Sequence, residues 1–404
     1  MTGLPTSIAL VHEWFTPRAV GGSEAVVEQL DALLHPQLFA LVDGESQRPG
    51  SWLHGRRIQT SFIQQLPWGV SHVQQYLPLL PLAIEQLDLG GYPLVLSSNH
   101  LVAKGVITGP DQLHVSYVHT PVRYAWDQMH AYLARSALAR SPLGPLIRGQ
   151  LHRLRQWDVV SSSRVDHLIA NSRFTARRIQ RCWRRGATVV HPPVEVDRFR
   201  WDQPRSDTYL SVCRLVPYKR VDLVVRAFNR LGLPLVVIGD GPERRRLEAM
   251  AGPNVQFLGH RPADEVTTWL QHCRAYVYAG LEDFGIAPVE AMAAGAPVIA
   301  LGQGGLLDSV RCLESGATQP TGLLFPVQSV ESLAAALDHF HTERLWRRFP
   351  ADAQHDWALR FSPACFRRRM QERLETLWRS HCRRLARASA PVPLEELPPI
   401  DGAA

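Results

Sequence analysis

The stretch EDFGIAPVEAMAAGAPVIA, residues 282–300, is the one around which the rest of this chain is organised. A buried-type strand, RAYVYAG (274–280), precedes it, and Pro288 lies where a helix begins, a position that tolerates proline because the first helical N–H groups have no partner. These unpaired N–H groups, beside a partial positive charge, predict an anion site. The carboxylates of Glu282 and Glu290 could bind hydroxyl groups of a sugar or ribose. A nucleotide-sugar site is therefore the hypothesis.

Length and composition set the class of protein. A chain of 404 residues exceeds what one hydrophobic core usually serves, so we expect two domains. No apolar stretch approaches the roughly 20 residues of a bilayer span, and no signal-peptide pattern opens the chain, so we expect a cytoplasmic protein. Six cysteines lie far apart without a C-x-x-C pair, which argues against a zinc site or a disulfide framework.

The formal charge of +7 is carried mostly by arginine and is unevenly distributed. Five arginines and no acid lie between Asp127 and Asp158, and six more arginines, again without an acid, lie between Asn171 and Val194. Such runs suit an anionic partner, which could be a phosphorylated acceptor, a membrane surface or nucleic acid. A solvated basic face explains any single run equally well.

Strands and helices alternate along both halves, which predicts parallel sheets covered by helices on both faces. The strand-like segments of the first half are residues 7–14, 37–44, 93–99, 112–120, 166–172 and 187–193. Those of the second half are residues 208–215, 234–241, 254–260, 274–280 and 321–326. A polar stretch without periodicity, residues 195–207, is the predicted linker.

The predicted domain limits follow from these patterns. We expect a first Rossmann-like domain over residues 1–195 and a second over residues 196–360. The basic helical stretch that begins near residue 361 is expected to pack back on the first domain as far as residue 388. Residues 389–404, rich in proline and small side chains, are expected to be disordered.

Several polar groups stand at strand ends, where ligands of open parallel sheets collect. His119 closes a strand and precedes a cluster of aromatic and polar residues, although a histidine that merely caps the strand is the alternative. Arg214 and Lys219 follow a strand of the second half and could hold a diphosphate, although surface salt bridges explain either one alone. Gly21 and Gly22 lie between a strand and a helix, where backbone N–H groups could approach a diphosphate.

Together these motifs resemble a known enzyme family. The segment EDFGIAPVE is similar to the E-x7-E motif of the retaining glycosyltransferases of family 4, which have the two-domain GT-B fold. The remaining parts occur in the expected order over residues 7–380, namely Gly21–Gly22, His119, Arg214 with Lys219, GDGPE (239–243), FLGH (257–260) and GQGG (302–305). The run YVHTPVRYAWD further resembles the bacterial O-antigen branch of mannosyltransferases, whose members use GDP-mannose.

The resemblance implies a role for each matching residue. His119, Arg214, Lys219 and Glu282 would be catalytic, with His119 and Glu282 on the transferred sugar and the two cations on the diphosphate. The donor would be bound by Gly21, Gly22, Gly239, Gly241, His260, Asp283, Phe284, Gly285, Ile286 and Glu290. Glu290 would bind the ribose. Asp308 stands where many relatives carry Glu, so it is not assigned to the site.

The implied activity is the retaining transfer of a hexose, mannose from GDP-mannose, onto a saccharide or lipid-linked acceptor in cell-surface polysaccharide, lipopolysaccharide or glycolipid synthesis. No cofactor or metal is expected, because the cations and the helix start already neutralise a diphosphate. The expected location is the cytoplasm, at the inner face of the membrane, through contact of basic helices with anionic lipid. No nucleic-acid module pattern occurs, so nucleic acid is not an expected partner.

Three alternatives remain open at this stage. One is a glycosyltransferase of the same family that uses a UDP-sugar. Another is a nucleotide-sugar epimerase or hydrolase on the same architecture, which would need a different acid–base set. The third is a basic peripheral membrane-binding protein without enzymatic activity.

Overall fold

Two parallel β-sheets, each covered by helices on both faces, form the core of this protein. The computed structural model describes residues 3–17 and 21–388, so the predicted disordered tail lies outside the described residues. No described helix has both the length and the apolar content needed to cross a membrane. All six cysteines have free thiols.

The first sheet has seven parallel strands in the order β3-β2-β1-β4-β5-β6-β7. Its strands are β1 Ile8–Phe15, β2 Gln37–Asp43, β3 Ile58–Thr60, β4 Leu94–Asn99, β5 Leu113–Val118, β6 His167–Ala170 and β7 Thr188–Val189. The central strands β1, β4 and β5 are buried along their whole length, as expected for strands covered on both faces. The order reverses between β1 and β4, and a crevice opens there beyond the carboxyl ends of the strands.

Six helices accompany this first sheet. They are α1 Gly22–Leu34, α2 Leu80–Glu85, α3 Met129–Arg135, α4 Ala137–Arg140, α5 Gly144–Ser162 and α6 Arg173–Trp183. The last of them, α6, is capped by the preceding residue, Ser172, whose side chain accepts a hydrogen bond from the backbone N–H of Thr175. Such a cap satisfies one of the free N–H groups at the start of the helix and fixes where α6 begins.

The second sheet has six parallel strands in the order β10-β9-β8-β11-β12-β13. Its strands are β8 Tyr209–Val212, β9 Leu235–Ile238, β10 Val255–Gly259, β11 Tyr276–Tyr278, β12 Val298–Leu301 and β13 Gly322–Phe325. The helices that follow are α7 Val221–Leu231, α8 Arg244–Ala249, α9 Ala263–His272, α10 Ile286–Ala293, α11 Leu306–Ser309, α12 Val330–Thr342, α13 Ala351–Ala358 and α14 Pro363–Ala388. The order reverses between β8 and β11, so a second crevice opens there.

The long helix α14 returns to the first sheet. Its residues Phe366, Met370 and Leu374 are buried in one hydrophobic cluster with Ile8 and Leu10 of β1. Each of these side chains removes apolar surface from water, which is worth roughly 1.5–3 kcal/mol for a fully buried large side chain. The chain therefore crosses twice between the two sheets, and the backbone N–H of Val194 donates to the carbonyl of Phe361 at 2.8 Å where the crossings meet.

The structure differs from the sequence-based expectation at three places. Strand β3 is not predicted, because its three residues are too few to show the alternation of apolar and polar side chains typical of a strand. Strand β12 begins inside the stretch 282–300 and ends at Leu301, and the run after Gly295 is not predicted as a strand. The predicted linker 195–207 is packed on the second sheet, because Val196 and Phe199 bury apolar side chains there.

Histidine 114 of β5 makes the stability of the first domain sensitive to acid. Burial lowers the pKa of His114 from 6.5 to about 4, and its Nε2 lies 2.9 Å from the Ser97 hydroxyl. The folded state therefore binds fewer protons than the unfolded chain below pH 6.5, and stability is lost as the pH falls from there.

We therefore expect the variant His114→Gln to weaken this pH dependence. Between pH 7 and pH 5, the free energy of unfolding of the unmodified protein should fall by about 2 kcal/mol more than that of the variant. Urea titrations at the two pH values measure this difference. Equal losses in both proteins would show that His114 is not held neutral.

Candidate active site

A cleft of about 370 Å³ lies between the two sheets, at the carboxyl ends of their strands. The first domain contributes Gly22 and His119 to its lining, and the second contributes Lys219 and residues 282–286. Eight of the residues predicted from the sequence therefore line one cavity, namely Gly22, His119, Lys219, Glu282, Asp283, Phe284, Gly285 and Ile286.

Lys219 and Glu282 form an ion pair at the floor of this cleft. Lys219 ends the short helical turn that follows β8, and Glu282 lies in the loop that follows β11, so the parallel sheet brings both side chains to one edge. The Glu282 carboxylate also accepts a hydrogen bond from the Tyr278 hydroxyl. Burial alone would lower the pKa of Lys219, but the Glu282 carboxylate outweighs burial and raises it. Lys219 is therefore a fixed cation at neutral pH.

The loop 282–286 is held by the turn that contains Gly304 and Gly305. The backbone N–H of Gly305 donates to the Glu282 carbonyl at 2.8 Å. Gly285 adopts a φ of +92°, a conformation that glycine reaches without a steric cost, and α10 begins directly after it. The backbone N–H groups at the start of this helix therefore open toward the cleft, where they favour an anion.

Two glycines in contact with the segment 283–286 offer a matched test, one in the turn behind the loop 282–286 and one in the lining of the cleft. A Cβ added at Gly305 would lie 2.1 Å from the carbonyl oxygen of Asp283, which is fixed backbone. A Cβ added at Gly22 would lie 2.4 Å from Cδ1 of Ile286, the flexible end of a side chain that can rotate away. Replacing glycine by alanine should therefore cost more stability at Gly305 than at Gly22.

We expect Gly305→Ala to lower the midpoint of thermal unfolding and to displace the loop 282–286, with a loss of roughly 2 kcal/mol of stability or more, as for other overpacking changes. Gly22→Ala should remain close to the unmodified protein in thermal stability, because the Ile286 side chain can rotate away. Thermal unfolding and turnover of the two variants measure the difference. A milder effect of Gly305→Ala than of Gly22→Ala would contradict the role of this turn.

His119 faces the cleft as a neutral ring. Burial, and after it the neighbouring His100 and His12, lower its pKa to about 3. Its Nε2 lies 2.9 Å from the Ser98 hydroxyl, and its backbone carbonyl accepts a hydrogen bond from the Asn171 side chain at 2.9 Å. An uncharged imidazole, fixed at Nε2 by Ser98 and through its backbone by Asn171, can contact sugar hydroxyls without adding charge.

A buried network behind His119 was not predicted from the sequence. One oxygen of the Glu13 carboxylate accepts hydrogen bonds from the backbone N–H groups of residues 100–103 at 2.8–3.2 Å. The other oxygen lies 3.0 Å from Nδ1 of His100, which lines the cleft. His12, Glu13 and His100 offer ligand atoms within 4.8 Å of one another, so this set could hold a metal ion. His12 and Glu13 lie near the end of the predicted strand 7–14, and this position was the sequence feature that could have indicated a functional role.

The carboxylate of Asp283, a residue predicted to bind the donor, contacts the first domain. Its carboxylate accepts hydrogen bonds from Arg123 and Arg178 of the first domain, with 2.9 Å from Arg123 Nε and 2.9 Å from Arg178 Nη1. Burial alone would raise the pKa of Asp283, but these two arginines lower it. The side chain predicted to bind the donor therefore forms a contact between the domains, and Arg123 is a cleft residue that the prediction missed.

Arg214 and Gly21 line a second, adjoining cavity of about 650 Å³ instead of the first. Its lining includes Trp14, Glu24 and His100, and His100 is shared with the cleft. Arg214 and Lys219 therefore line adjoining cavities, and their joint contact with one diphosphate stays a prediction.

The remaining predicted donor residues lie outside the lining of the cleft. Gly239 and Gly241 have φ values of +138° and +158°, and an added Cβ would meet the carbonyl oxygens of Cys213 and Leu215 at 1.9 and 2.4 Å. Their visible role is the close packing of the loops after β8 and β9. His260 is exposed at the end of β10. Burial raises the pKa of Glu290, which pairs with Arg198 at 2.6 Å.

Comparison with known proteins agrees with this geometry. Residues 195–356 match the family described as Glycosyl transferases group 1. The chain is 30% identical over 355 residues to a GDP-mannose-dependent alpha-mannosyltransferase of Mycobacterium tuberculosis, with 83% of this chain and 88% of that protein covered. It is 29% identical over 207 residues to a GDP-mannose-dependent alpha-(1-6)-phosphatidylinositol monomannoside mannosyltransferase of the same species, with 43% of this chain and 52% of that protein covered.

Solved structures share the architecture. A sucrose-phosphate synthase from Thermosynechococcus elongatus matches with a TM-score of 0.67 and 19% identity, covering 93% of this chain and 99% of that one. The Anabaena protein HepE in complex with UDP matches with a TM-score of 0.64 and 17% identity, covering 92% and 100%. At these identities the likeness concerns the fold.

Two Rossmann-like domains that face each other across a cleft, with a lysine–glutamate pair beside a helix start, define an enzyme of the GT-B class. Within that class, the chain belongs to the group 1 glycosyltransferases.

Proposed function

We propose that this enzyme transfers mannose from GDP-mannose, with retention of configuration at the anomeric carbon, to a saccharide or lipid-linked acceptor of a cell-surface polysaccharide or glycolipid. The observation that carries the proposal is the Lys219–Glu282 pair beside the start of α10, facing His119 across the cleft. In this proposal the diphosphate lies against Lys219 and the helix start, and the sugar lies between Glu282 and His119.

The chemistry follows from where charge develops during transfer. As the bond from the anomeric carbon to the diphosphate breaks, negative charge grows on the leaving phosphate. Lys219 and the N–H groups at the start of α10 are positioned to stabilise that charge, and loss of one such preorganised donor typically costs roughly 3–4 kcal/mol. The acceptor hydroxyl would attack from the face of the sugar that the phosphate leaves, with the departing phosphate taking its proton.

The donor is proposed from the relatives. Those with 29–30% identity are GDP-mannose-dependent mannosyltransferases by name. A thermal-shift panel of GDP-mannose, UDP-glucose, UDP-N-acetylglucosamine and ADP-glucose tests the base and the sugar, because a ligand that binds the folded state raises its stability by mass action. We expect the largest shift with GDP-mannose. A larger shift with a UDP-sugar would replace this donor by the alternative within the same family.

The acceptor is proposed to enter through the second cavity. Its lining combines Trp14 with the polar side chains of Glu24, Ser71, Gln74 and Gln75. An aromatic face beside amide, hydroxyl and carboxylate groups suits a sugar ring with free hydroxyls. Because His100 and Ser23 line both cavities, an acceptor bound there would reach the donor sugar in the cleft.

We propose that transfer needs no metal ion. Lys219 and the start of α10 already provide positive charge for the diphosphate, and the Glu13 oxygen in the His12–Glu13–His100 set faces the His100 ring as an ion-pair partner. Burial alone would lower the pKa of His100, but Glu13 raises it. Turnover should therefore persist after dialysis against EDTA, and recovery of activity only on addition of a divalent ion would overturn this part.

Membrane contact is proposed for the surface formed by α3, α4 and α5. Arg140, Arg148 and Arg155 line a cavity of about 490 Å³ on this surface, and Leu143 and Leu146 are 51% and 72% exposed. Basic groups beside exposed leucines suit an anionic bilayer surface, at the inner face of the cytoplasmic membrane, that carries the lipid-linked acceptor.

Flotation with vesicles tests this contact. We expect binding to vesicles that contain phosphatidylglycerol, release at high salt, and loss of binding in the double variant Arg140→Glu, Arg148→Glu. The variant Arg347→Glu, Arg348→Glu changes the same charge on the second domain and serves as the control. Equal absence of binding to anionic and neutral vesicles would end this proposal.

A further inference from the structure

Helix α6 of the first domain is held at two points by aspartates of the second domain. Arg173 begins this helix and Arg178 lies one and a half turns further on. Asp308 of α11 binds the first of these arginines, and Asp283 of the loop 282–286 binds the second. We call these two contacts, together with the contact between Arg123 and Asp283, the inter-domain clamp.

Asp308 caps the start of α6 from the opposite domain. Its Oδ2 accepts the backbone N–H of Arg173 at 2.7 Å, and its Oδ1 accepts Arg173 Nε at 2.8 Å. Arg173 Nη2 also donates to the Leu307 carbonyl at 3.0 Å. The Asp308 side chain is 3% exposed, whereas that of Arg173 is 67% exposed. A carboxylate at a helix N-terminus is stabilised by the free N–H groups and the helix dipole, so the cap is favourable only while the domains are together.

Asp283 makes the second contact of the clamp. Its two carboxylate oxygens are divided between Arg178 on one side and Arg123 on the other, and the residue is 5% exposed. Charge-assisted hydrogen bonds of this kind are about twice as strong as neutral ones and fix direction as well as distance. Asp283 also directly follows Glu282 in the chain, so a shift of one carries the other with it.

The same helix holds His119. Arg178 donates from Nη1 to the hydroxyl of Thr120 as well as to Asp283. Thr175 of α6 and Asn171 just before it both donate to the His119 carbonyl, at 3.4 and 2.9 Å. The clamp therefore joins the loop that carries Glu282 to helix α6, and α6 in turn is hydrogen-bonded to the backbone of His119.

We propose that Asp283 and Asp308 are positioning residues that hold α6 against the second domain, and thereby set His119 opposite Glu282 when the cleft closes. Neither carboxylate contacts the substrate in this role. The inference rests on the proposed transfer reaction, in which His119 and Glu282 contact the same sugar from opposite domains. It differs from the donor-binding role first expected for Asp283 because both oxygens of that carboxylate are occupied by arginines.

The variants Asp283→Asn and Arg173→Ala test the clamp at its two points. We expect kcat to fall about 100-fold in Asp283→Asn and about 10-fold in Arg173→Ala, the scale on which misplacement of reacting groups by about 1 Å acts. The dissociation constant of GDP should stay within about threefold, because the second domain binds the nucleotide by itself in this account. Arg173 is an exposed side chain, so its variant should fold even if Asp283→Asn is poorly stable.

Small-angle X-ray scattering measures whether the two domains stay together. A residue that only stabilised its own domain would not change this measurement. Both variants should show a larger radius of gyration than the unmodified protein, with and without GDP, because the clamp no longer holds the domains together. Asp31→Asn is the matched control, since it removes a half-buried ion pair with Arg56 inside the first domain and should leave kcat and scattering unchanged.

Two results would overturn the proposal. One is a kcat within about threefold of the unmodified protein in both variants, and the other is a fall in kcat with unchanged scattering, which would return Asp283 to direct contact with the donor. The scattering comparison without ligand does not depend on the donor. A protein that fails to bind GDP would therefore count against the proposed donor, and the clamp would still be tested.

Discussion

Replacing Lys219 by alanine is expected to lower kcat about 10³-fold, equivalent to roughly 4 kcal/mol of transition-state stabilisation. The physical reason is that Lys219 is a partly buried cation, held in its charged form by Glu282, at the point where the leaving phosphate gains charge in the proposed reaction. Steady-state turnover at saturating donor measures the loss. The midpoint of thermal unfolding should change little by comparison, because the ion pair contributes less to stability than to catalysis in this account.

Two further variants make this prediction specific. Lys219→Arg keeps the charge but replaces a compact ammonium by a broad planar group, so we expect partial activity. Arg226→Ala removes an exposed cation from α7, outside the cleft, and should leave kcat within about twofold, as surface substitutions usually have small effects. Retention of a tenth or more of the activity in Lys219→Ala would remove this residue from the catalytic set.

The variant Glu282→Gln is expected to lower kcat about 10²-fold, or roughly 3 kcal/mol. Glutamine keeps the length of the side chain but not the charge, so both the pairing with Lys219 and the hydrogen bond from the Tyr278 hydroxyl are weakened. The sugar hydroxyls would lose a charged acceptor at the same time. Turnover and the dissociation constant of GDP, measured side by side, separate the effect on transfer from the effect on nucleotide binding.

The double variant shows whether the two residues act as a unit. Because Lys219 and Glu282 are in direct contact, we expect Lys219→Ala with Glu282→Gln to be about as slow as Lys219→Ala alone. If the two losses multiplied instead, the residues would contribute independently, and their ion pair would not be the working element of the site.

The parts of the site that could be predicted from the sequence share one property. Lys219 and Glu282 follow predicted strands and His119 closes one, and parallel strands bring their carboxyl ends to one edge of a sheet. The rule is geometric and needs no knowledge of packing. It placed Lys219 and Glu282 at one edge of the second sheet, and the resemblance to the two-domain GT-B fold predicted that His119 would face them. All three residues line the cleft.

The contacts that were missed depend on pairs without a local pattern. Arg123 and Arg178 lie 160 and 105 positions from Asp283, and the pairing depends on how two domains meet. A residue's neighbours in the sequence do not specify such a contact. For the same reason the arginine partners of the Asp283 carboxylate could not be expected from the sequence, and the donor-binding role of Asp283 stays a prediction.

The glycines show the limit of motif-based assignment. Gly239 and Gly241 occur in a motif that the resemblance connects with the donor, yet their positive φ angles and the nearby carbonyls of the β8 loop account for glycine by packing. Gly285 and Gly305 have a direct relation to the site, because they shape and hold the loop that carries Glu282. The spacing of glycines in the sequence did not distinguish those required by packing from those that hold the loop of the site.

The most direct test of the central claim is the product balance when the enzyme acts on GDP-mannose with a panel of lipid-linked and oligosaccharide acceptors. We predict that GDP and an α-linked mannoside form in equal amounts, as read by chromatography and by the anomeric signal in NMR, and that Lys219→Ala forms neither at a comparable rate. Release of free mannose at the full rate without an acceptor, or a β-linked product, would contradict a retaining transfer in this cleft.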